Sequence, residues 1–347
     1  VLINLKRLIF KFIVKLSFLL RFILPIKRKI LIVYDLAING IGYDFFIFME
    51  NALQYKKNKR IKNFDLVILS ADTENNGLIF KKQQYLKEKK NFNENGDVRL
   101  SNIVLNTLNF YPEINNIYIN KKRISFFKYL FFYDCIFPQN FNIYRDYKNQ
   151  VKQISWASLE KNKNIKELQG IKVLNIYLDK AKNLKKIYKK KLVTISLRES
   201  SYSKYRNSNK NEWLKVCKYL EKIKIQPIVI RDFEFNPKRN NPFKKYELAP
   251  EATFNLNYRA AIYKVSEHNF FPDGGYFPLS VLQKNANLSR WKYDKNLNKK
   301  SYLSHLEGCV ADKRFPNNYR LGGKNYHILL KDDNFKNIKK FIDQNLA

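Results

Sequence analysis

Histidine, cysteine and acidic side chains are scarce in this chain of 347 residues. The three histidines, His268, His305 and His327, form no HExxH or comparable cluster, which argues against a histidine-based metal site. Cys135, Cys217 and Cys309 are odd in number, widely spaced and in no CxxC pair. They build neither a disulfide framework nor a zinc site and fit a reducing compartment. Residues 1–24 hold no apolar run near the ~20 residues that a membrane-spanning helix needs. No GxGxxG fingerprint and no repeat of solenoid period occurs.

What is present bounds the answer further. A content of 45% hydrophobic and 15% aromatic residues is enough to bury a large core, so wholesale disorder is excluded, and the length suits two domains. Lys and Arg number 66 against 30 Asp and Glu, a formal net charge of +36. That balance invites a nucleic-acid reading. Against it, Lys, Asn, Ile, Phe and Tyr are all abundant and share A/T-rich codons, and Lys is spread evenly rather than gathered into one basic, aromatic surface. Nucleic acid is therefore not an expected partner, whereas attraction to anionic lipid or glycan is.

Residues 1–24 predict a helix that Pro25 stops. On a helical wheel Asn4, Arg7, Lys11 and Lys15 share one stripe, with Lys6, Ser17 and Arg21 beside it. Leu5, Ile9, Phe12, Leu16, Leu19, Leu20 and Ile23 take the opposite side. Such a helix lies in a bilayer interface, or else packs on its own domain. Basic residues throughout it argue against a cleaved signal peptide. The run 29–37 then predicts a strand, followed by Gly40, Gly42, Tyr43 and Asp44 and a helix over 45–55. Two glycines in a strand-to-helix turn admit a ligand to the helix N-terminus, or make a tight turn and nothing more. A strand is expected at 64–70, a polar loop with one short helix at 72–96, a helix at 99–110, and a strand at 116–119. Residues 125–132 are aromatic and expected in the core. A helix is expected at 142–152, and a basic helix end at 185–191 marks the domain boundary.

The stretch 192–209, LVTISLRESSYSKYRNSN, organises the rest. A β-branched apolar run reads as a buried parallel strand and stops at Arg198, Glu199, Ser200 and Ser201, with Arg206, Asn207 and Ser208 following. Trp213, Val216, Cys217 and Leu220 then fall at helical spacing. A second strand over 227–230 ends in Arg231 and Asp232. Ligands bind such βαβ units at the carboxyl ends of the strands. Further on, a helix over 257–264, a strand over 268–271 and Asp273-Gly274-Gly275 precede a helical 276–283. Residues 284–316 read as irregular, 326–330 as a strand, and 334–344 as a terminal helix. Arg198 and Arg206 suit a diphosphate, with Ser200, Ser201, Asn207 and Ser208 adding neutral bonds, amides of Gly274 and Gly275 exposed, and Asp273 or Glu199 accepting sugar hydroxyls. The plainer alternatives are a surface ion pair for Arg198–Glu199, helix capping for 206–208 and a simple turn for 273–275. His268 reads as a satisfied strand histidine rather than a base. Of Asp35, Asp44, Asp232 and His268, all near predicted strand ends, Asp44 is the one named as general base.

Two βα-rich halves, a linker and a C-terminal helix able to cross back resemble the GT-B glycosyltransferases. Residues 192–200, the RNS at 206–208, IVIRD at 228–232 and NYRAAIYKVSEHNFFPDGG at 257–275 resemble bacterial envelope-polysaccharide proteins related to heptosyltransferases. ISLRES at 195–200 is similar to the strand-plus-arginine element that contacts the nucleotide diphosphate in fucosyltransferase-like members. Where this chain has Asp273-Gly274-Gly275, relatives carry Asn-Gly-Pro. The resemblance spans 192–283 well and 29–44 loosely. It implies an α/β fold class of two Rossmann-like domains, GT-B-like, at 29–184 and 185–333, after a basic amphipathic helix at 1–28 and before a helix at 334–347 that crosses back. It also implies a nucleotide-sugar donor in the second domain, an envelope glycan or lipid-linked acceptor in the first, and no metal or other cofactor. The expected setting is the inner face of the cytoplasmic membrane, with peripheral attachment to an anionic surface. A non-catalytic binder of nucleotide sugar or glycan is the first alternative, separated by whether donor is turned over. A basic nucleic-acid-binding protein is the second, separated by the salt dependence of binding.

Overall fold

The computed structural model describes residues 2–21, 29–36, 38–39, 41–69, 96–120, 123–129, 132–139, 141–143, 170–200, 204–235, 241–272, 275–283, 287–291, 326–329 and 331–346. All but the last residue of the expected loop at 72–96, most of the expected helix at 142–152, and Gly40, Ser201, Asp273 and Gly274 lie outside them. The chain divides into two compact units, 1–104 with 111–159, and 105–110 with 160–347.

The first unit opens with helix α1 (Leu2–Arg21) and strand β1 (Lys29–Asp35), followed by α2 (Asp44–Asn58) and β2 (Asn63–Leu69). A helical stretch, α3, runs through Gly96–Arg99, a π-helical Leu100–Leu105 and Asn106–Leu108; its last four residues fall in the second unit. Strand β3 (Ile114–Asn120), a 3-10 helix (Arg123–Tyr129) and β4 (Cys135–Phe137) follow. The strands form one sheet in the order β3-β2-β1-β4, every pair parallel. β1 and β2 are buried along nearly their whole length, which their near-continuous apolar runs require, while β3 is an edge strand with Ile117 and Ile119 exposed. One carboxylate interrupts β2: Asp65 is fully buried and accepts from Tyr133 OH at 2.6 Å, from the Asn116 amide at 3.2 Å and from its side chain at 3.1 Å. Those bonds offset the cost of burying it. The aromatic run is core only in part: Phe126 and Tyr129 are buried, but Phe132, past the end of the 3-10 helix, is 60% exposed.

The second unit begins with α4 (Asn175–Tyr188), which ends where Lys189 takes a left-handed φ of 48°. Then come β5 (Leu192–Ser196), α5 (Lys210–Lys222), β6 (Gln226–Ile230), α6 (Leu256–Val265), β7 (His268–Pro272), a short α7 (Pro278–Val281), β8 (Leu288–Trp291), β9 (Tyr326–Leu329) and α8 (Phe335–Asn345). The sheet order is β6-β5-β7-β8-β9, again all parallel. β8 lies in the stretch expected to be irregular. Helix α5 buries Trp213, Val216, Cys217 and Leu220, one stripe of its surface, against Val193, Ile195, Phe270 and Trp291. α8 packs Ile338, Phe341 and Ile342 into that same core. Asn255 and Asn334 cap α6 and α8 by accepting from the amides of Tyr258 and Asn337, each at 2.9 Å. His268 is buried at the start of β7 with Nε2 2.9 Å from Ser289 Oγ, and burial lowers its pKa to about 3. It is a structural side chain at the amino end of the sheet.

Candidate functional site

In the second sheet the chain leaves β5 toward β6 on one side, then returns to β7 on the other and continues to β8. Neighbouring strands β5 and β7 thus send their connections in opposite directions, and in open α/β sheets a crevice opens at the carboxyl ends of such a pair. The segments at that point are 197–200 after β5 and 275–277 after β7, with 231–235 after β6 alongside.

The β5 loop is closed by its own side chains. The Arg198 amide donates to Ser208 Oγ at 2.9 Å, and the Ser208 amide returns a bond to Arg198 O at 3.0 Å. Asn207 Oδ1 accepts from Arg198 Nη1 at 2.6 Å and from the Ser200 amide at 3.1 Å, while its Nδ2 donates to Ser200 O at 2.9 Å. Asn207 and Ser208 therefore hold the loop in shape, and α5 starts at Asn209 without a side-chain cap. Arg198 is left 8% exposed. Arg206 is half-buried in a 3-10 turn (Lys204–Arg206).

Glu199 is held by basic side chains from the β6 loop and from α5. Its carboxylate accepts from Arg231 Nε and Nη2 at 2.5 Å each and pairs with Lys210 Nζ at 2.5 Å. Burial alone pushes this carboxyl up, but the bonds to Arg231 and Lys210 outweigh it and hold it below the usual range. Arg231 also donates to Glu247 at 3.0 Å and Asn241 at 2.9 Å. Glu199 and Arg231 thus form a buried clamp between the β5 and β6 loops.

Asp232 joins all three loops. It accepts from the Glu199 amide at 3.2 Å and from Tyr276 OH at 3.4 Å, and Tyr276 OH lies 3.3 Å from the Phe233 amide. Ser200 Oγ adds a bond to Glu234 at 3.1 Å. Burial pushes the Asp232 carboxyl up, against the opposing pull of the Glu199 amide and the Arg259 charge. Beneath them Arg259 is fully buried, donates to Tyr263 OH at 2.7 Å and stacks 3.2 Å from the Tyr276 ring centre. Arg290, near the carboxyl end of β8, stacks 3.9 Å from the Phe277 ring centre. Gly275 has φ 78° and open space where a Cβ would stand. Sequence patterns did not point to Tyr276, Arg259 or Arg290. Arg259 is polar on a helix that is otherwise core, a signal visible beforehand, but Tyr276 and Arg290 acquire meaning only from strand order.

In the first unit the turn after β1 is built by Ile38 and Asn39 amides donating to Asp35 O, at 3.0 and 2.8 Å, and by Arg99 Nη2 donating to Ile41 O at 3.3 Å. Asp35 is fully buried, whereas Asp44 is exposed in the first turn of α2, where the helix dipole favours its charge. Tyr43 precedes it with no side-chain cap, and Gly42 has nothing within 4 Å of a notional Cβ. Asn39 Oδ1 is buried here without a hydrogen-bond partner among the described residues.

Among the described residues no group of three or more His, Cys, Asp or Glu could hold a metal ion. A cleft of about 450 Å³ between Lys189, Lys190, Lys191, Lys224 and Leu346 lies at the amino ends of β5 and β6, the opposite edge from the joined loops.

No protein-family model matches the sequence, and no curated protein matches it. Among solved structures the chain is similar to a glycosyl transferase family 9 protein from Veillonella parvula, with 10% identity, 93% of this chain and 91% of that chain covered, and a TM-score of 0.45. It is similar also to ADP-heptose lps heptosyltransferase II of E. coli, with 7% identity, 92% and 100% covered, and a TM-score of 0.45. For E. coli heptosyltransferase WaaC with ADP the figures are 10% identity, 91% and 99% covered, and a TM-score of 0.42.

Proposed function

We propose that this chain is a glycosyltransferase of GT-B type that moves a sugar from a nucleotide-sugar donor to a cell-envelope glycan or lipid-linked acceptor, peripherally at the inner face of the cytoplasmic membrane. One observation carries the reading: the β5 and β7 loops meet at a switch point, tied through Asp232 and Tyr276, with Arg198 behind one loop and open Gly275 in the other. The donor diphosphate binds the amides of Gly274 and Gly275, with Arg198 and Arg206 supplying positive charge and Asp232 or Asp273 accepting a hydroxyl. The acceptor binds at the Gly40, Gly42 and Tyr43 turn. Asp44 takes the proton of the acceptor hydroxyl as that oxygen attacks the anomeric carbon. The bond to the diphosphate breaks, and the departing charge is stabilised by Arg198, an effect that reaches ~10²–10³ in rate for comparable fixed donors.

The test is donor turnover by wild type, Arg198→Ala and Asp44→Asn. Both variants are expected to lose at least ~10-fold; turnover equal to wild type in either removes that residue from the mechanism. The near-complete cover over Arg198 favours, as second reading, a protein that binds nucleotide sugar without turning it over. Binding with no hydrolysis or transfer, across donors and acceptors, would establish it.

A further inference from the structure

We infer that α1 is a preformed docking helix whose outer face, Leu5, Leu8, Ile9, Phe12, Leu16 and Leu19, enters the interface of an anionic bilayer. These side chains are 42–67% exposed, and five of them, at spacings of four, three, four and three, make one stripe along the helix. A run of large exposed apolar groups on a water-facing helix marks an interaction surface. A different edge of the helix is already occupied. Phe10 is 1% exposed, its ring 6.2 Å from Phe126 and 5.5 Å from Phe127, with Ile13 and Val14 packed beside it on the core of the first unit. The helix is thus seated by protein contacts, without lipid.

Charge identifies the occupant. Lys11 and Lys15 are exposed one turn apart on the Leu8 side of the apolar stripe, between it and the Phe10 edge, and α1 contains no acidic residue. Lysine stems lie along an apolar face while their ammonium groups reach lipid headgroups. Two copies meeting through this stripe would instead bring like-charged rows together. Spanning is also excluded: among the described residues no helix is long and apolar enough to cross a membrane, and the Phe10 edge is covered by protein. The helix therefore lies flat, deepening the peripheral placement proposed above, on which this inference rests for its setting.

The test is co-sedimentation of the full chain with phosphatidylcholine vesicles and with vesicles that also carry phosphatidylglycerol. Wild type is expected to bind the anionic vesicles, more weakly as salt is raised. Phe12→Ser with Leu16→Ser is expected to weaken binding at least ~10-fold, and Lys11→Glu with Lys15→Glu at least about fivefold. Neither pair alters the buried edge, so unfolding midpoints and donor turnover in solution stay at wild-type values. Hydrogen exchange is expected to show α1 protected before vesicles are added. Equal binding by the serine variant, or a dimer that this variant dissolves, would overturn the inference, as would an α1 that is protected only on vesicles. Turnover in solution is read separately, so a failed glycosyltransferase reading and a failed docking helix give different results.

Discussion

His268 and Glu199 show how single side chains set the acid sensitivity of this protein. A histidine whose folded pKa is depressed takes up its proton more readily when unfolded. Its contribution is therefore whole above its ordinary value of 6.5 and drains away as pH falls toward about 3. His268→Gln, which keeps a nitrogen for Ser289 Oγ, is expected to flatten the fall in urea midpoint between neutral pH and pH ~4 relative to wild type. An equal fall in both proteins would show that the His268 proton is not what drives it. Glu199 also has a depressed value, so its contribution is present above its unfolded pKa and lost as pH falls through the folded one. Glu199→Gln leaves the Arg231 guanidinium, 6% exposed, without its bidentate partner, and is expected to cost roughly 3–5 kcal/mol in urea unfolding at neutral pH. A cost under ~1 kcal/mol would mean that Glu247 and Asn241 satisfy Arg231 by themselves.

At the scale of elements, the loops rather than the strands carry the specific chemistry, and two glycines separate shape from space. Gly170 has φ 66°, and a Cβ there would stand 2.5 Å from Leu282 O, a backbone atom with no freedom to yield. Gly275 has the same hand of φ with nothing in the way. Gly275→Ala is therefore expected to cost only the backbone term of ~1–2 kcal/mol, and Gly170→Ala clearly more; melting midpoints of the two variants give the order, and a reversed order would refute the packing at Leu282. Strands β5 and β6 were legible because each is a short apolar run buried on both faces, β7 because Phe270-Phe271 runs into the turn residues Pro272-Asp273-Gly274-Gly275, and α5 because its apolar residues repeat every three or four. β8 was not, since LSRW offers two polar residues in four. Ser289 is buried against His268 and Trp291 Nε1, bonds that no local pattern announces. The aromatic run misled at Phe132 for the converse reason: aromatic character favours burial, but the chain there has already left the 3-10 helix that faces the core.

For the whole molecule, a ligand that binds only the folded state raises its stability by mass action whether or not it is turned over. Thermal shift against UDP-, GDP-, ADP- and CMP-linked sugars is expected to single out one nucleotide, by about 2.7 kcal/mol of added stability at a hundredfold excess over Kd. Arg198→Ala should abolish that shift; no shift with any donor would remove the nucleotide-sugar reading entirely. The amino-acid sequence by itself determined most of the secondary elements, though not β4 or β8, and the polar residues at the strand ends, because periodicity and capping act within a few residues of chain. Only the tertiary structure decided which of those polar groups remain available. Strand order sets Asp232 beside Tyr276, forty-four positions away, and Glu199 against Arg231, thirty-two away. It was this same long-range packing that turned the Phe10 edge of α1 inward and left Leu5, Phe12 and Leu16 outside.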